Sequence, residues 1–189
     1  MIQPQFRIAL VTGSARSGKS EWAEYLAAET QKAVKYVATA QIDPNDPEWI
    51  ARIEKHIQRR PAHWETLWVP VDLARVIGDS DPSDCLLVDA LGTWVANLLD
   101  EDEAAWEKRV EGVLESLEGA KGTIILVGEE VGWGLVPIYP AGRVFRDRAG
   151  QLLRRIGAIA SVVYLVTGGY ALNLTQHGIP LPKTHEKFP

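Results

Sequence analysis

The chain has 189 residues, of which 46% are hydrophobic and 24% charged, and its formal net charge is −5. This composition predicts a folded globular protein, and the acidic balance argues against a nucleic-acid partner, because phosphate backbones attract clustered Lys and Arg. The single cysteine, Cys85, cannot form an internal disulfide, and no apolar run approaches the ~20 residues that span a bilayer. We therefore expect a cytoplasmic protein with no membrane span.

The first predicted element is a short apolar β-strand at residues 8–12, which is followed by a glycine-containing loop and a helix. The loop has the Walker A pattern, and its residues are Gly13, Ser14, Ala15, Arg16, Ser17, Gly18, Lys19 and Ser20. Backbone N–H groups of such a loop and the start of its helix attract phosphate. Lys19 is predicted to contact the β- and γ-phosphates, and Ser20 to bind Mg²⁺. The alternative is a glycine turn before an ordinary helix.

The second predicted strand covers residues 33–40 and ends in small residues, which lets a ligand come close: Ala38, Thr39 and Ala40. Apolar residues at helical spacing predict a helix from Trp49 to about Arg59, which Pro61 ends. A short strand is expected at residues 64–69, a short helix at 72–77 and a turn at 79–84.

The strand at residues 85–89 is apolar until its final residue, Asp89. This pattern is typical of a Walker B strand, whose carboxylate lies beside the phosphate loop and holds Mg²⁺. The alternative is an aspartate that caps the following helix.

The second half of the chain alternates between predicted helices and strands. A helical stripe between Trp106 and Leu117 precedes a strand at residues 123–128, and a long helix at about 142–159 precedes a strand at 162–166. Alternation of this kind predicts a mainly parallel sheet covered by helices on both faces. We therefore expect an α/β fold, a P-loop NTPase-like three-layer sandwich, as a single domain over residues 1–189 with a C-terminal tail at 168–189.

Three further side chains are candidates for the site. Glu130 follows the strand at 123–128 and is either a base for an incoming hydroxyl or an ordinary loop carboxylate. Arg16 and Arg146 either contact phosphates or lie on a solvated face. These alternatives stay open on the sequence alone.

Five ordered blocks resemble the bifunctional adenosylcobinamide kinase / adenosylcobinamide-phosphate guanylyltransferase family of cobalamin biosynthesis. The first two are the phosphate loop and the second-strand segment 36–40. The most distinctive block is Arg52-Ile53 followed by His56, Arg60-Pro61 and Trp64. The fourth block runs from Val88-Asp89 through Asn97-Leu98, and the fifth consists of the segments 130–137 and 145–150. The likeness extends to about Val166.

The resemblance implies two reactions and a homotrimer. A phosphoryl group passes from ATP or GTP to the hydroxyl of adenosylcobinamide, and GMP then passes from GTP to the resulting phosphate through a histidine. His56 matches that histidine, with Lys19 as the other catalytic residue. The remaining residues expected to bind nucleotide are the phosphate loop with Ala38, Thr39, Ala40, Ile57, Gln58, Arg59, Arg60 and Asp89.

Spacing alone favours a solvent-facing helix histidine at position 56, whereas the match of the surrounding block favours His56 as the nucleophile over the competing His63. The sequence differs from the family pattern at Trp68, Gly92, Glu129 and the pair Leu153-Arg154. Two alternative functions are a plain P-loop small-molecule kinase and a nucleotide-binding regulator without turnover.

Overall fold

The computed structural model describes residues 6–41 and 60–182. Its seven strands form one sheet, with bounds β1 Ile8–Gly13, β2 Ala33–Ala38, β3 Glu65–Trp68, β4 Asp84–Asp89, β5 Thr123–Glu129, β6 Val162–Thr167 and β7 Tyr170–Asn173. The described helices are α1 Lys19–Glu29, α2 Leu73–Gly78, α3 Leu91–Asn97, α4 Glu103–Gly119, α5 Pro140–Ile159 and α6 Leu174–His177.

The strand order across the sheet is β3-β2-β4-β5-β1-β6-β7. All neighbouring pairs are parallel except β6 and β7. β5 lies between β1 and β4, so the carboxyl ends of the phosphate-loop strand and of the acid-bearing strand are separated by one strand. Parallel sheets of this type bind ligands at the carboxyl ends of their strands.

Each face of the sheet carries its own apolar core, because the central strands are buried on both sides. On one face α1 contributes Ala23, Leu26 and Ala27. On the other face α2, α3, α4 and α5 bury a larger cluster, which includes Leu73, Trp94, Trp106, Val110, Leu117, Leu152 and Ile156. The three-layer α/β sandwich with a mainly parallel sheet is confirmed.

The sheet continues into part of the segment that the sequence suggested was a surface tail. β7 pairs antiparallel with β6 through a tight turn at Gly168 and Gly169, whose φ values are 58° and 82°. Positive φ at both central residues is the geometry that hairpin turns require, and glycine adopts it without a steric penalty. The sequence does not predict β7, because a four-residue strand leaves little periodic signal.

None of the helices in the described part of the chain has both the length and the apolar composition needed to cross a membrane.

Candidate active site

The phosphate loop joins the carboxyl end of β1 to the first turn of α1. Gly18 precedes the helix with φ 92°, a left-handed conformation that favours glycine. Gly13 ends β1, and a Cβ added there would lie 2.6 Å from the Oγ of Ser17. The backbone N–H of Ser17 donates to the carbonyl of Ser14 at 3.2 Å, which closes the loop. The two glycines therefore permit a tight loop at the start of an 11-residue helix.

Lys19 is held beneath this loop. Lys19 is only 9% exposed, and its Nζ donates to the carbonyl oxygen of Ser14 at 3.2 Å. Ser14, Ala15 and Arg16 are exposed at the rim, and Arg16 has a positive φ of 58°. The ammonium is therefore fixed close to the loop that a polyphosphate would enter, where it can supply positive charge.

Ser20 and Asp89 meet across the sheet edge. The Oγ of Ser20 donates to Oδ1 of Asp89 at 3.3 Å, and the hydroxyl of Tyr36 donates to Oδ2 at 2.8 Å. Hydroxyl and carboxylate oxygens are ligands that Mg²⁺ prefers, so the Ser20–Asp89 pair can form part of a magnesium site. Burial, reinforced by the charge of Asp89, raises the pKa of Tyr36, which keeps the phenol a hydrogen-bond donor.

Arg60 lies over Tyr36. The carbon of its guanidinium group is 3.1 Å from the centroid of the Tyr36 ring. Its Nε and Nη1 atoms are buried and have no hydrogen-bond partner among the residues that the structure describes. Burial lowers the pKa of Arg60, and the nearby Tyr36 and Asp89 oppose that effect. The arrangement places a cation with unused donors beside the Ser20–Asp89 pair.

Thr39 connects the ends of β2 and β4. Its fully buried Oγ1 donates to the carbonyl of Ala90 at 2.7 Å and accepts from the Ala90 N–H at 3.1 Å. The Nδ2 of Asn97 donates to the Thr39 carbonyl at 2.7 Å. Ala38 is the register partner of Asp89, and Ala40 follows Thr39. These contacts fix the backbone that carries Asp89.

Two carboxylates lie at the end of β5, because Glu129 is its last residue and Glu130 follows, and they have different surroundings. Oε2 of Glu129 accepts from the Gly92 N–H at 2.9 Å, and burial is the main cause that raises its pKa. Oε1 of Glu130 accepts from the hydroxyl of Thr12 at 2.8 Å. Glu130 is thus tied to β1, whereas the charge of Glu129 interacts with Lys19 and Asp89.

The structure therefore brings Lys19, Ser20, Asp89 and Arg60 together at one edge of the sheet. His56, Ile57, Gln58 and Arg59 lie outside the described residues. The Nη2 of Arg146 donates to the Gly132 carbonyl at 2.6 Å, so this half-buried arginine braces the loop after β5.

Sequence reasoning missed Tyr36 and Glu129 as members of the site. A polar aromatic residue two positions before the small residue that ends β2 is the signal that could have identified Tyr36. Glu129 had a similar signal, since it is the first charged residue after a fully buried run.

Backbone amides, an ammonium group and a carboxylate gathered at the carboxyl ends of parallel strands suit a polyphosphate ligand. The class of protein is therefore that of the P-loop nucleotide-binding enzymes, as the sequence predicted. The particular family follows from comparison with known proteins. The family described as "Cobinamide kinase / cobinamide phosphate guanyltransferase" matches residues 9–174, and the chain belongs to this family.

Curated relatives agree with this assignment. The chain is 43% identical over 175 residues to the bifunctional adenosylcobalamin biosynthesis protein CobP of Pseudomonas aeruginosa, covering 92% of this chain and 95% of the relative. It is 38% identical over 181 residues to the bifunctional adenosylcobalamin biosynthesis protein CobU of Escherichia coli, covering 87% of this chain and 98% of the relative. The resemblance inferred from the five sequence blocks is confirmed.

Solved structures of distant sequence share the fold. A protein from Pyrococcus horikoshii, PH0250, superposes with a TM-score of 0.56 at 9% identity, over 89% of this chain and 85% of its own. An ATPase from the type III secretion system of pathogenic bacteria superposes with a TM-score of 0.52 at 10% identity, over 92% of this chain and 58% of the ATPase.

Proposed function

We propose that this chain carries out both reactions of its family at one polyphosphate site. It phosphorylates the hydroxyl of adenosylcobinamide with ATP or GTP, and it then transfers GMP from GTP to adenosylcobinamide phosphate through a covalent intermediate on His56. The observation that carries the proposal is the convergence of Lys19, Ser20 and Asp89 at the carboxyl end of the sheet in a member of this family.

In the kinase step the loop amides and Lys19 bind the β- and γ-phosphates, and Ser20 and Asp89 would hold Mg²⁺. The residues present fit this ion, because a hydroxyl and a carboxylate oxygen lie 3.3 Å apart and Tyr36 orients the carboxylate. The chemistry that Mg²⁺ supplies when bound is neutralisation of charge on the phosphate oxygens. Lys19 moves its donor from the Ser14 carbonyl to a phosphate oxygen when nucleotide enters.

In the guanylyl step a neutral imidazole nitrogen of His56 attacks the α-phosphorus of GTP, and pyrophosphate leaves with the bonding electron pair. The resulting phosphoramidate then passes GMP to a phosphate oxygen of the acceptor. Arg60 supports this role, because its guanidinium lies over Tyr36 near the charge of Asp89, and its Nε and Nη1 atoms have no partner within the described residues. Arg60 is four positions after His56 in the sequence, a reach of at most ~14 Å in extended chain.

The corrinoid is proposed to lie against the loop after β5. That loop exposes a series of large apolar side chains, namely Trp133, Leu135, Val136, Ile138 and Tyr139. An apolar series of this size on a folded protein marks a binding surface. We further propose that the working form is a cytoplasmic homotrimer, in which a neighbouring subunit covers the rest of a ligand too large for one chain.

Labelling with α-³²P-GTP and Mg²⁺ tests the covalent step. We expect wild-type protein to retain acid-labile, base-stable label, and His56→Ala to retain none. His63→Ala is the matched control, because His63 is an exposed histidine seven residues away, and it should label like wild type. Equal labelling of His56→Ala would contradict the assignment. Phosphorylation of cobinamide without any labelled protein would instead indicate a plain kinase.

A further inference from the structure

Glu129 occupies a particular position in the sheet. It is the last residue of β5, the strand that pairs with β1 on one side and β4 on the other. Its register partner in β1 is Gly13, the first residue of the phosphate loop. The carboxylate therefore leaves the sheet between the loop that binds phosphate and the strand that carries Asp89.

A glycine opposite Glu129 makes room for its carboxylate. Oε2 accepts a 2.9 Å hydrogen bond from the backbone N–H of Gly92, in the first turn of α3. A Cβ added at Gly92 would overlap that same oxygen. The carboxylate is therefore held by a backbone donor, in a position that it could not keep if residue 92 carried a side chain.

The charge of Glu129 belongs to the phosphate site. Burial raises its pKa most strongly, the ammonium of Lys19 opposes that rise, and the negative charge of Asp89 adds to it. A carboxylate in such surroundings binds a proton more readily than one in water. The residue remains partly exposed, so an incoming group can reach it.

The neighbouring Glu130 has different contacts. Its Oε1 accepts from Thr12 at 2.8 Å, and its backbone N–H donates to the Gly13 carbonyl at 3.0 Å. Both bonds attach it to β1. Glu130 therefore stabilises the strand end, and it is the natural control for its neighbour.

We propose that Glu129 is the general base of the kinase step, an inference that rests on the kinase half of the proposed function. As the acceptor oxygen attacks the γ-phosphorus, its O–H bond breaks and the proton passes to the Glu129 carboxylate. The electrons of the O–H bond stay on the oxygen, and a lone pair of that oxygen forms the new O–P bond. The bond from the γ-phosphorus to the β–γ bridging oxygen breaks, and its electrons leave with the nucleoside diphosphate.

Glu129→Gln tests the proposal, because glutamine keeps the shape and the acceptor for the Gly92 N–H but is not a base. We expect the kcat for cobinamide phosphorylation to fall by roughly 100- to 1,000-fold, the range of general-base catalysis. The Kd for GTP should stay within about twofold of wild type, because a base that acts only in the transition state contributes little to the binding of the ground state. Glu130→Gln should change kcat by less than about fivefold.

A second variant tests the geometry. Gly92→Ala places a methyl group where Oε2 lies, and it should lower kcat at least tenfold by displacing the carboxylate, with GTP still bound.

Three outcomes would overturn the inference. Glu129→Gln could phosphorylate cobinamide within threefold of the wild-type rate. High Mg²⁺ could restore its rate, which would identify Glu129 as a metal ligand. GTP binding could be lost together with activity, which would indicate a structural role. A wild-type chain that binds GTP but does not phosphorylate cobinamide would overturn the proposed kinase function as well.

Discussion

The hydroxyl of Tyr36 donates a 2.8 Å hydrogen bond to Oδ2 of Asp89, a residue on the neighbouring strand. Ser20 donates to the other carboxylate oxygen, so both oxygens of Asp89 are held by hydroxyl groups. Arg60 in turn covers the Tyr36 ring. A chain of contacts therefore runs from the end of the segment that carries His56 to the carboxylate beside the phosphate loop. This arrangement couples the orientation of Asp89 to residues on three parts of the chain.

Tyr36→Phe should weaken Mg²⁺ binding without changing the fold. The ring and its contact with Arg60 remain, but Oδ2 of Asp89 loses its donor and the carboxylate is less well oriented. Loss of such an outer hydrogen bond reduces metal affinity by about tenfold. The measurement is the Mg²⁺ concentration that half-saturates GTP binding in a fluorescence titration. Tyr25→Phe, on the exposed side of α1, is the control. An unchanged Mg²⁺ requirement in Tyr36→Phe would show that Tyr36 does not orient the ligand.

Lys19→Met should remove most of the affinity for nucleotide. Methionine retains much of the buried stem, but the charge that pairs with the β- and γ-phosphates is lost. We expect the Kd for GTP and for ATP to rise by roughly 100-fold, measured by isothermal titration calorimetry. Lys32→Met is the matched control, because Lys32 binds the Pro82 carbonyl near the start of β2. Binding that survives in Lys19→Met at wild-type strength would place the polyphosphate elsewhere.

The sequence was sufficient to predict the architecture because its signals are local. Buried strands read as apolar runs, and the loop between Gly13 and Ser20 specifies both a tight turn and the start of a helix. The pairing of Ser20 with Asp89 follows once the sheet is parallel, since both lie at carboxyl ends. Five blocks in one order then predicted the family that the comparisons confirm.

Other features depend on contacts between residues that are far apart in the chain. Gly92, Glu129 and Leu153 each differ from the family pattern, and the structure shows that they line one small pocket. The Glu129 carboxylate has room in this position because residue 92 has no side chain. Residues 92 and 129 are far apart in the chain, so the spacing of residues in the sequence cannot reveal this relation. On position alone Glu130 is a candidate base, but its hydrogen bond to Thr12 attaches it to β1, so Glu129 is the better candidate. β7 was missed because only its pairing with β6 stabilises so short a strand.

The ion pair between Lys35 and Asp84 should make stability depend on pH in acid. Nζ of Lys35 lies 2.8 Å from Oδ2 of Asp84, which also accepts from the Asp81 N–H at 3.0 Å. Burial acts to raise the pKa of Asp84, but these two bonds outweigh it and hold the pKa below its ordinary value. The folded state therefore binds the proton less readily than the unfolded state. The stabilisation is complete above pH ~4 and is lost as the pH falls through the folded-state pKa.

Asp84→Asn should accordingly lower the free energy of unfolding by about 2 kcal/mol at pH 7, measured by urea denaturation. The difference from wild type should shrink below pH ~4, because protonation removes the same charge. Asp79→Asn is the control, since Asp79 forms an exposed pair with Arg75 at 3.6 Å and such pairs contribute little. A constant difference down to pH ~2 would contradict the role assigned to the charge.

Arg148→Met should destabilise the fold, although Arg148 belongs to an arginine-rich helix next to the site. Its guanidinium is buried, and it donates to the carbonyls of Leu98 at 3.0 Å, Leu99 at 3.4 Å and Glu101 at 2.7 Å. These carbonyls follow the end of α3, where the helix supplies no backbone donors to them. Without the Arg148 guanidinium they would lose their hydrogen-bond donors at a site that water does not easily reach. We expect a loss of about 3 kcal/mol, which corresponds to a fall in Tm of roughly 6–12 °C.

Differential scanning calorimetry measures this loss, and Arg154→Met on the exposed side of the same helix is the matched control. The control should change Tm by no more than ~2 °C, because exposed substitutions rarely exceed 0.5 kcal/mol. If Arg148→Met were as stable as wild type but bound GTP weakly, Arg148 would be a ligand contact. Its three carbonyl partners argue for the structural role instead, because a guanidinium already engaged with the backbone has few donors left for a phosphate.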